Sequence, residues 1–338
     1  MLRMPDVEGA EAEDLDALAA LRTDQGWQRS DLLLGAIQRW DHGRIFIVRA
    51  GSVDPTAHHP RAVIASTSAI VAGPVGVVGT VIVRADYRRR GLGRLVMMAC
   101  LRWMRAHGAR TVYLDATDDG RPLYFDLGFV GVEQSYWGHA PVEAIHREAA
   151  QRRDRGVLSR VRPAGELARV TDLDRAAFGG DRLGLIAQLL ATEATWLYLA
   201  TDSAEQPMGY AVVRCLDAPY VGIRLGPWVA TGDVAAISLL DAITAESAPW
   251  RARVNRGNEE QRQLFASIPG TNKHATHLFE ELGGALEEDD LIMRLDLSEN
   301  AVTASGEATR HSAPAGEHEI HDAERPDWLY GWIAPMVF

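Results

Sequence analysis

The sequence predicts an α/β (α+β) protein of two similar halves in tandem, each a mixed, mostly antiparallel sheet flanked by helices. Three observations lead there. The chain has 338 residues, and at roughly 100–200 residues per domain that is about two domains. Within residues 1–140 the order reads helix, helix, three strands, long helix, strand, short helix, strand. The same order recurs within 158–297, where Leu123–Phe129 (LYFDLGF) is answered by Leu278–Gly284 (LFEELGG). A repeat this long points to duplication of a whole domain, not a solenoid.

The elements follow in order. Residues 13–22 carry Leu15, Leu18 and Leu21 at helical spacing. Residues 30–40 carry Leu32, Leu33, Ile37 and Trp40 behind Ser30 or Asp31 as N-cap. Arg44–Arg49, Ala62–Ala69 and Gly76–Arg84 are β-branched runs punctuated by Gly73-Pro74 and Gly79, with a turn-rich connection at 51–60. A long helix spans Leu92–His107 and stops at Gly108. Thr111–Ala116 is a strand, 121–128 a short helix ended by Gly128, and Phe129–Trp137 the last strand of the half. Residues 141–157 read as a charged linker helix.

In the second half, Ala164–Phe178 and Leu183–Thr192 read as helices, and Trp196–Ala200, Met208–Cys215 and Tyr220–Ala230 as strands. Asp233–Ser247 is a helix, Arg251–Asn255 a strand, His274–Leu282 a short helix and Leu291–Leu297 a closing strand. Residues 298–338 form a low-complexity tail, and Glu299–Arg325 shows little periodicity. The tail ends in the apolar segment Trp328–Phe338, expected to dock on its own domains or on a subunit partner.

Composition narrows the function. A net charge of −11 argues against a general nucleic-acid binder. Two cysteines, Cys100 and Cys215, are too few for a disulfide framework and lack zinc-ligand spacing. No apolar run approaches the roughly 18 residues of a membrane span. Met1–Leu15 is acidic and has no secretory pattern. These features predict a cytoplasmic protein with no metal, membrane or nucleic-acid partner. His58-His59 and His318-x-x-His321 read as solvated pairs, and Cys100 as a buried small hydrophobe.

Chemistry concentrates in Val81–Arg94, VIVRADYRRRGLGR. A β-rich strand runs into a turn with Arg88, Gly91 and Gly93 spaced as Arg-x-x-Gly-x-Gly, then into the long helix. Glycines at such a turn expose backbone N–H groups, and the helix start adds partial positive charge. That is a ready phosphate site. Five arginines stand there against one aspartate, within a chain of net negative charge. The spacing is neither a P-loop nor a dinucleotide fingerprint, since Val96 stands where the third glycine should be. Alone, such a turn equally marks a solvated basic surface.

With its context, residues 1–140 resemble the GNAT superfamily of N-acyltransferases, in which tandem arrangements are known. The Arg-x-x-Gly-x-Gly turn follows the expected strand, and Leu123-Tyr124 with Gly128-Phe129 matches the family's later segment. The family usually has Asn seven residues before that Tyr; Thr117 stands there instead. Residues 158–297 resemble the family in architecture only. The turn there is reduced to Thr231-Gly232-Asp233, and Phe279 and Gly284 replace Tyr124 and Phe129. The resemblance implies two tandem GNAT-like domains, the second structural or forming one wall of the substrate pocket.

It further implies acetyl-CoA, or another acyl-CoA, as co-substrate and no metal. Main-chain groups of Val81, Ile82 and Val83 would serve the thioester and pantetheine. Arg88, Arg89, Arg90, Gly91, Leu92, Gly93 and Arg94 would surround the pyrophosphate, with Thr117 nearby. Tyr124 would protonate the CoA sulfur, its alternative being a core aromatic. Asp115, a candidate base, has the alternative of a strand-end carboxylate, and a water chain is a third option. Trp27 would border the acceptor, a small primary amine. Turnover should then rise from pH 6 towards about 8–9 as the amine deprotonates. A non-catalytic acyl-CoA-binding regulator and a scaffold protein stay open as alternatives, as do monomer and homodimer.

Overall fold

The computed structural model describes residues 5–27, 31–153, 160–163, 167–192, 194–216, 222–245, 247–253 and 262–297. Ser30, part of the 251–255 stretch and the tail 298–338 lie outside them. The first half runs β1 (Glu8–Gly9), α1 (Leu15–Thr23), α2 (Asp31–Arg39), β2 (Gly43–Arg49), α3 (Ala50–Val53), β3 (Val63–Ala72), β4 (Val75–Val83), α4 (Leu92–Ala106), β5 (Thr111–Ala116), α5 (Arg121–Asp126) and β6 (Val130–Pro141). The second runs α6 (Val142–Arg153), β7 (Arg160–Pro163), α7 (Thr171–Phe178), α8 (Leu183–Leu190), β8 (Thr195–Thr201), β9 (Pro207–Cys215), β10 (Gly222–Ala230), α9 (Asp233–Thr244), β11 (Gln263–Pro269), α10 (Lys273–Glu281) and β12 (Ala285–Asp296).

Among the described residues the twelve strands form one sheet, in the order β1-β2-β3-β4-β5-β12-β6-β11-β10-β9-β8-β7. Most neighbours are antiparallel; β4 with β5 and β10 with β11 are parallel. Strand β5 pairs with β12 rather than with β6, the next strand of its own half. Strand β11 likewise pairs with β6 rather than with β12. The halves thus exchange their last strands.

Helices cover both faces because the strands are apolar on both. All ten residues of β3 are buried. Helix α4 buries Val96, Met97, Leu101 and Met104 along one stripe, each worth roughly 1.5–3 kcal/mol. On the opposite face α1 and α2 bury Leu18, Leu34 and Ile37, and Phe178, Leu185 and Leu189 of α7 and α8 join that same core. Helix α6, on the stretch expected as a linker, buries Val142 and Ile145 against Leu239 and Ile243 of α9.

The short elements β1, α3 and β7 have no counterpart in the expected order, and one expected strand is replaced. The strand expected at Arg251–Asn255 is not seen at its described residues 251–253; Pro249–Ala252 is a 3-10 turn, and the strand after α9 is β11. Buried Trp250 donates its indole N–H to the Ile243 carbonyl at 2.7 Å, and Arg251 donates to Glu143 Oε1 at 3.0 Å. These contacts pin the segment over the end of α9, overriding its local pattern. Cys100 is buried as expected, and burial pushes its thiol up to about 12.

Candidate active site

The β4–β5 ladder runs from Val75 opposite Thr111 to Val77 opposite Tyr113 and then stops. Both strands continue, to Val83 and Ala116. A wedge therefore opens at the carboxyl ends of two parallel strands, the position where α/β sheets bind ligands. Strand β4 bulges there: its register against β3 shifts between Ser66 and Ser68, and Thr80 adopts φ +52°. Ser66 Oγ donates to the Thr80 carbonyl at 3.1 Å, and Arg22 of α1 donates to Thr80 Oγ1 at 3.2 Å. A bulge re-aims the strand beyond it, here Val81, Ile82 and Val83 along the wedge. Burial pushes the Arg22 guanidinium down to about 10, and it lies 5.4 Å from the ring centre of half-buried Trp27.

The basic turn leads from the wedge to α4. Arg89 (φ +63°) and Gly91 (φ +78°) are both left-handed. Such residues curl the chain so that successive N–H groups converge. Leu95 N–H bonds to the Gly91 carbonyl at 3.0 Å, so the N–H groups of Leu92, Gly93 and Arg94 precede the helix's own ladder. Gly91 has open space around it, so its φ is what demands glycine. Gly93 serves packing: a Cβ would lie 3.3 Å from Leu123 Cδ2.

The arginines hold the turn as well as charging it. Arg84 pairs with Asp86 at 2.7 Å, holding that carboxyl below its usual range. The Arg84 and Arg90 guanidinium groups lie 4.7 and 4.9 Å from the Tyr87 ring centre. Arg88 donates to the Val83 carbonyl at 3.2 Å and to Gln25 after α1. Arg89 is exposed and Arg94 half-buried.

Tyr124 projects from α5 and is 6% exposed. Its ring meets Phe129 edge-on, with centroids 6.0 Å apart. Gly120 keeps the space beside the phenol clear, since a Cβ there would lie 2.7 Å from Tyr124 Cε2. Burial raises the hydroxyl well above its ordinary range, and the nearby charges of Asp290 and Asp115 raise it further. It stays protonated at neutral pH. The Thr117 carbonyl accepts from Gly120 N–H at 2.9 Å and Arg121 N–H at 3.1 Å, opening α5.

Residues 13–129 match the family described as acetyltransferase (GNAT) family, and residues 170–303 match a description as acetyltransferase (GNAT) domain. The chain belongs to the GNAT acetyltransferase family. It is similar to the uncharacterized N-acetyltransferase YitH of Bacillus subtilis strain 168, 30% identical over 182 residues; the match covers 53% of this chain and 60% of that protein. A tandem GNAT protein from the clavulanic acid biosynthesis pathway is 13% identical, with a TM-score of 0.58 over 87% of this chain and 98% of the other. A GCN5-related N-acetyltransferase from Sphaerobacter thermophilus is 14% identical, with a TM-score of 0.53 over 87% of this chain and 97% of the other. At those identities the likeness is one of fold.

Within this GNAT fold, the structure brings Val81–Val83, the turn Arg88–Arg94 and Tyr124 to one end of the sheet. Asp115 is separated from Tyr124 by β5. Alternation puts Val112 and Leu114 in the core with Tyr124, while Tyr113 packs on the α1–α2 side. Asp115 shares that second face, and its carboxylate oxygens are buried.

Sequence reasoning missed three further groups: Arg22 with Thr80, Gly120, and the Asp289-Asp290 pair on β12. The only trace of the last was an acidic run before a closing strand, which reads as a solvated edge. Its place beside α5 follows from strand exchange. The GNAT fold of the second half has no counterpart to the basic turn: α9 starts at Gly232 with Asp233 in its first turn. Among the described residues no three metal-ligating side chains converge, and no helix is long and apolar enough to cross a membrane.

Proposed function

We propose that the chain transfers an acetyl group from acetyl-CoA to a primary amine of a small molecule, by direct attack in a ternary complex, with the chemistry confined to the first half. The observation that carries this reading is the wedge between β4 and β5, continuous with the left-handed turn at the start of α4. A wedge between parallel strands offers main-chain groups to an extended amide-bearing arm, and the turn offers N–H groups to a pyrophosphate. The chain's donors fit CoA on both counts.

In this reading Val81–Val83 align the thioester, and Arg89, Gly91, Leu92, Gly93 and Arg94 hold the phosphates. Arg88 ties the turn to β4 and to the loop before Trp27. Tyr124 gives its proton to the departing sulfur; a phenol kept protonated by burial is suited to that role. Thr117 contributes through its carbonyl, by setting the start of α5. The acceptor amine enters from the side of Trp27 and Arg22.

Calorimetric titration of acetyl-CoA tests the reading. The wild type is expected to bind one molecule per chain. Gly91→Glu should bind none, because it strains a left-handed position and sets a negative charge at the anion site. Gly232→Glu, at the matching point of the second half, should bind like the wild type. Two sites per chain would overturn the assignment of chemistry to one half. Binding without thiol release across a panel of amines would replace the enzyme by an acyl-CoA-binding regulator.

A further inference from the structure

Strand β12 enters the first half between β5 and β6, and its ladder is broken at one place. Glu288 pairs with Tyr136 and Leu291 with Gln134, so Asp289 and Asp290 bulge opposite Ser135. On the other side Leu291 pairs with Ala116, the last residue of β5. Asp290 therefore stands one residue past the end of β5, at the mouth of the wedge.

The bulge is clamped by β6. Ser135 Oγ donates to the Asp290 carbonyl at 2.8 Å. Gln134 Nε2 donates to the Asp289 carbonyl at 2.7 Å and to the Asp290 carbonyl at 3.2 Å. With the main chain fixed, the two half-buried carboxylates meet different surroundings. Asp289 lies in the field of Arg224 on β10. Asp290 lies in the fields of Asp289, of Arg121 on α5 and of Asp118 just before it. The charge of Asp290, like that of Asp115 on β5, holds the proton on the Tyr124 hydroxyl. The second half thus delivers a carboxylate, on a clamped stretch of main chain, to the end of the first half's site.

Resting on the acyltransferase reading, we propose that Asp290, carried into the site by the strand exchanged from the second half, accepts the proton of the acceptor amine. The amine nitrogen forms a C–N bond to the thioester carbonyl carbon as the C–S bond breaks. The nitrogen turns strongly acidic as that bond forms, and its proton passes to the Asp290 carboxylate. The Tyr124 O–H protonates the sulfur. The proton on Asp290 then returns to the Tyr124 oxygen, directly or through water. An amide and a thiol are formed, and both residues regain their starting states.

The electrostatics suit this role. Burial pushes Asp290 up to about 6, with Asp289 and Asp118 adding and Arg121 opposing. Such a carboxylate is ionised at neutral pH yet more basic than an exposed one, which favours proton transfer.

The test measures thiol release from acetyl-CoA with a diamine, an amino sugar and an α-amino acid, each as free primary amine, using the full chain. Asp290→Asn should keep its thermal midpoint at or above the wild type and its acetyl-CoA affinity within twofold. Its kcat should fall at least about 100-fold, and the rise of turnover with pH should lose its extra steepness below about pH 6, keeping only the slope of amine deprotonation. Asp290→Glu should restore at least about tenfold of that loss. Asp289→Asn should move that steeper stretch to lower pH, because a like charge is removed. Unchanged kcat in Asp290→Asn, or a kcat loss matched by lost acetyl-CoA affinity, overturns the proposal alone. A wild type that neither binds acetyl-CoA nor releases thiol with any amine overturns the acyltransferase reading and this proposal with it.

Discussion

The two halves share a strand–turn–helix and differ in what the turn can hold. At the start of α4 two left-handed residues, Arg89 and Gly91, curl the chain, and the first helical turn carries no acid. At the start of α9 the link is Thr231-Gly232, and Asp233 sits in the first turn. A helix start attracts anions through its N–H groups and dipole, and a carboxylate placed there competes for them. Tyr124 and Phe279 differ in the same sense: both are buried aromatics at matching positions, and only one has a proton to give. The lesson is that an anion-attracting turn and a buried hydroxyl can be lost through a few local changes while the layers of a fold are kept. The second half still matters to the first, because it lends β12.

Four experiments would break or sharpen that comparison. The largest effect is expected from ending the chain at Arg153. Without β12, both β5 and β6 expose an unpaired edge, and such edges associate. Chromatography should show aggregates or swapped oligomers; a cooperatively folding monomer would make the exchange dispensable.

Swapping the paired aromatics comes next. Tyr124→Phe should lower kcat about 100-fold with little change in acetyl-CoA affinity. Phe279→Tyr should leave kcat alone but cost about 1–3 kcal/mol of stability by burying a hydroxyl. Gained activity, or equal kinetic effects of the two, would contradict the division of labour.

The third concerns pH. The folded-state value of Asp290 is raised from 3.8 to about 6. Its contribution is therefore fully present below about pH 4 and lost as pH rises through about 6. Asp290→Asn should be more stable than the wild type at pH 8, by about 1–2 kcal/mol after allowance for solvent screening, and the gap should shrink on acidification. Thermal melts across pH 4–8 would show it, and a gap that widens towards acid would refute the raised value.

The smallest effect belongs to the surface pair Arg152–Glu281, at 2.8 Å between α6 and α10. Arg152→Ala should cost less than about 1 kcal/mol by urea unfolding. A much larger loss would mean that exposed charges, not exchanged strands, secure the second half.

Much of the site was legible in order along the chain. Gly91 and the arginines declare a curled, basic turn because left-handed backbone and excess positive charge are local properties. Leu123-Tyr124 and Gly128-Phe129 declare a helix end beside that turn for the same reason. The short closing strands read at 129–137 and 291–297 extend in the structure to Pro141 and back to Ala285, because each gains ladders on two sides. The strand expected at 251–255 failed because Trp250 and Arg251 answer to α9 and α6, far away in sequence.

The sequence by itself determined the duplicated α/β layers, the basic glycine turn, the phenol beside it and the loss of both in the second half. Each rests on residues within a few positions of one another. Only the tertiary structure decided that β12 lies between β5 and β6, that Asp290 therefore lies one residue past the end of β5, and that Arg22 reaches Thr80. Hydrogen-bonded strand order joins residues 155 or more apart, as Ser135 with Asp290, and no local pattern of side chains encodes which edge a strand will meet.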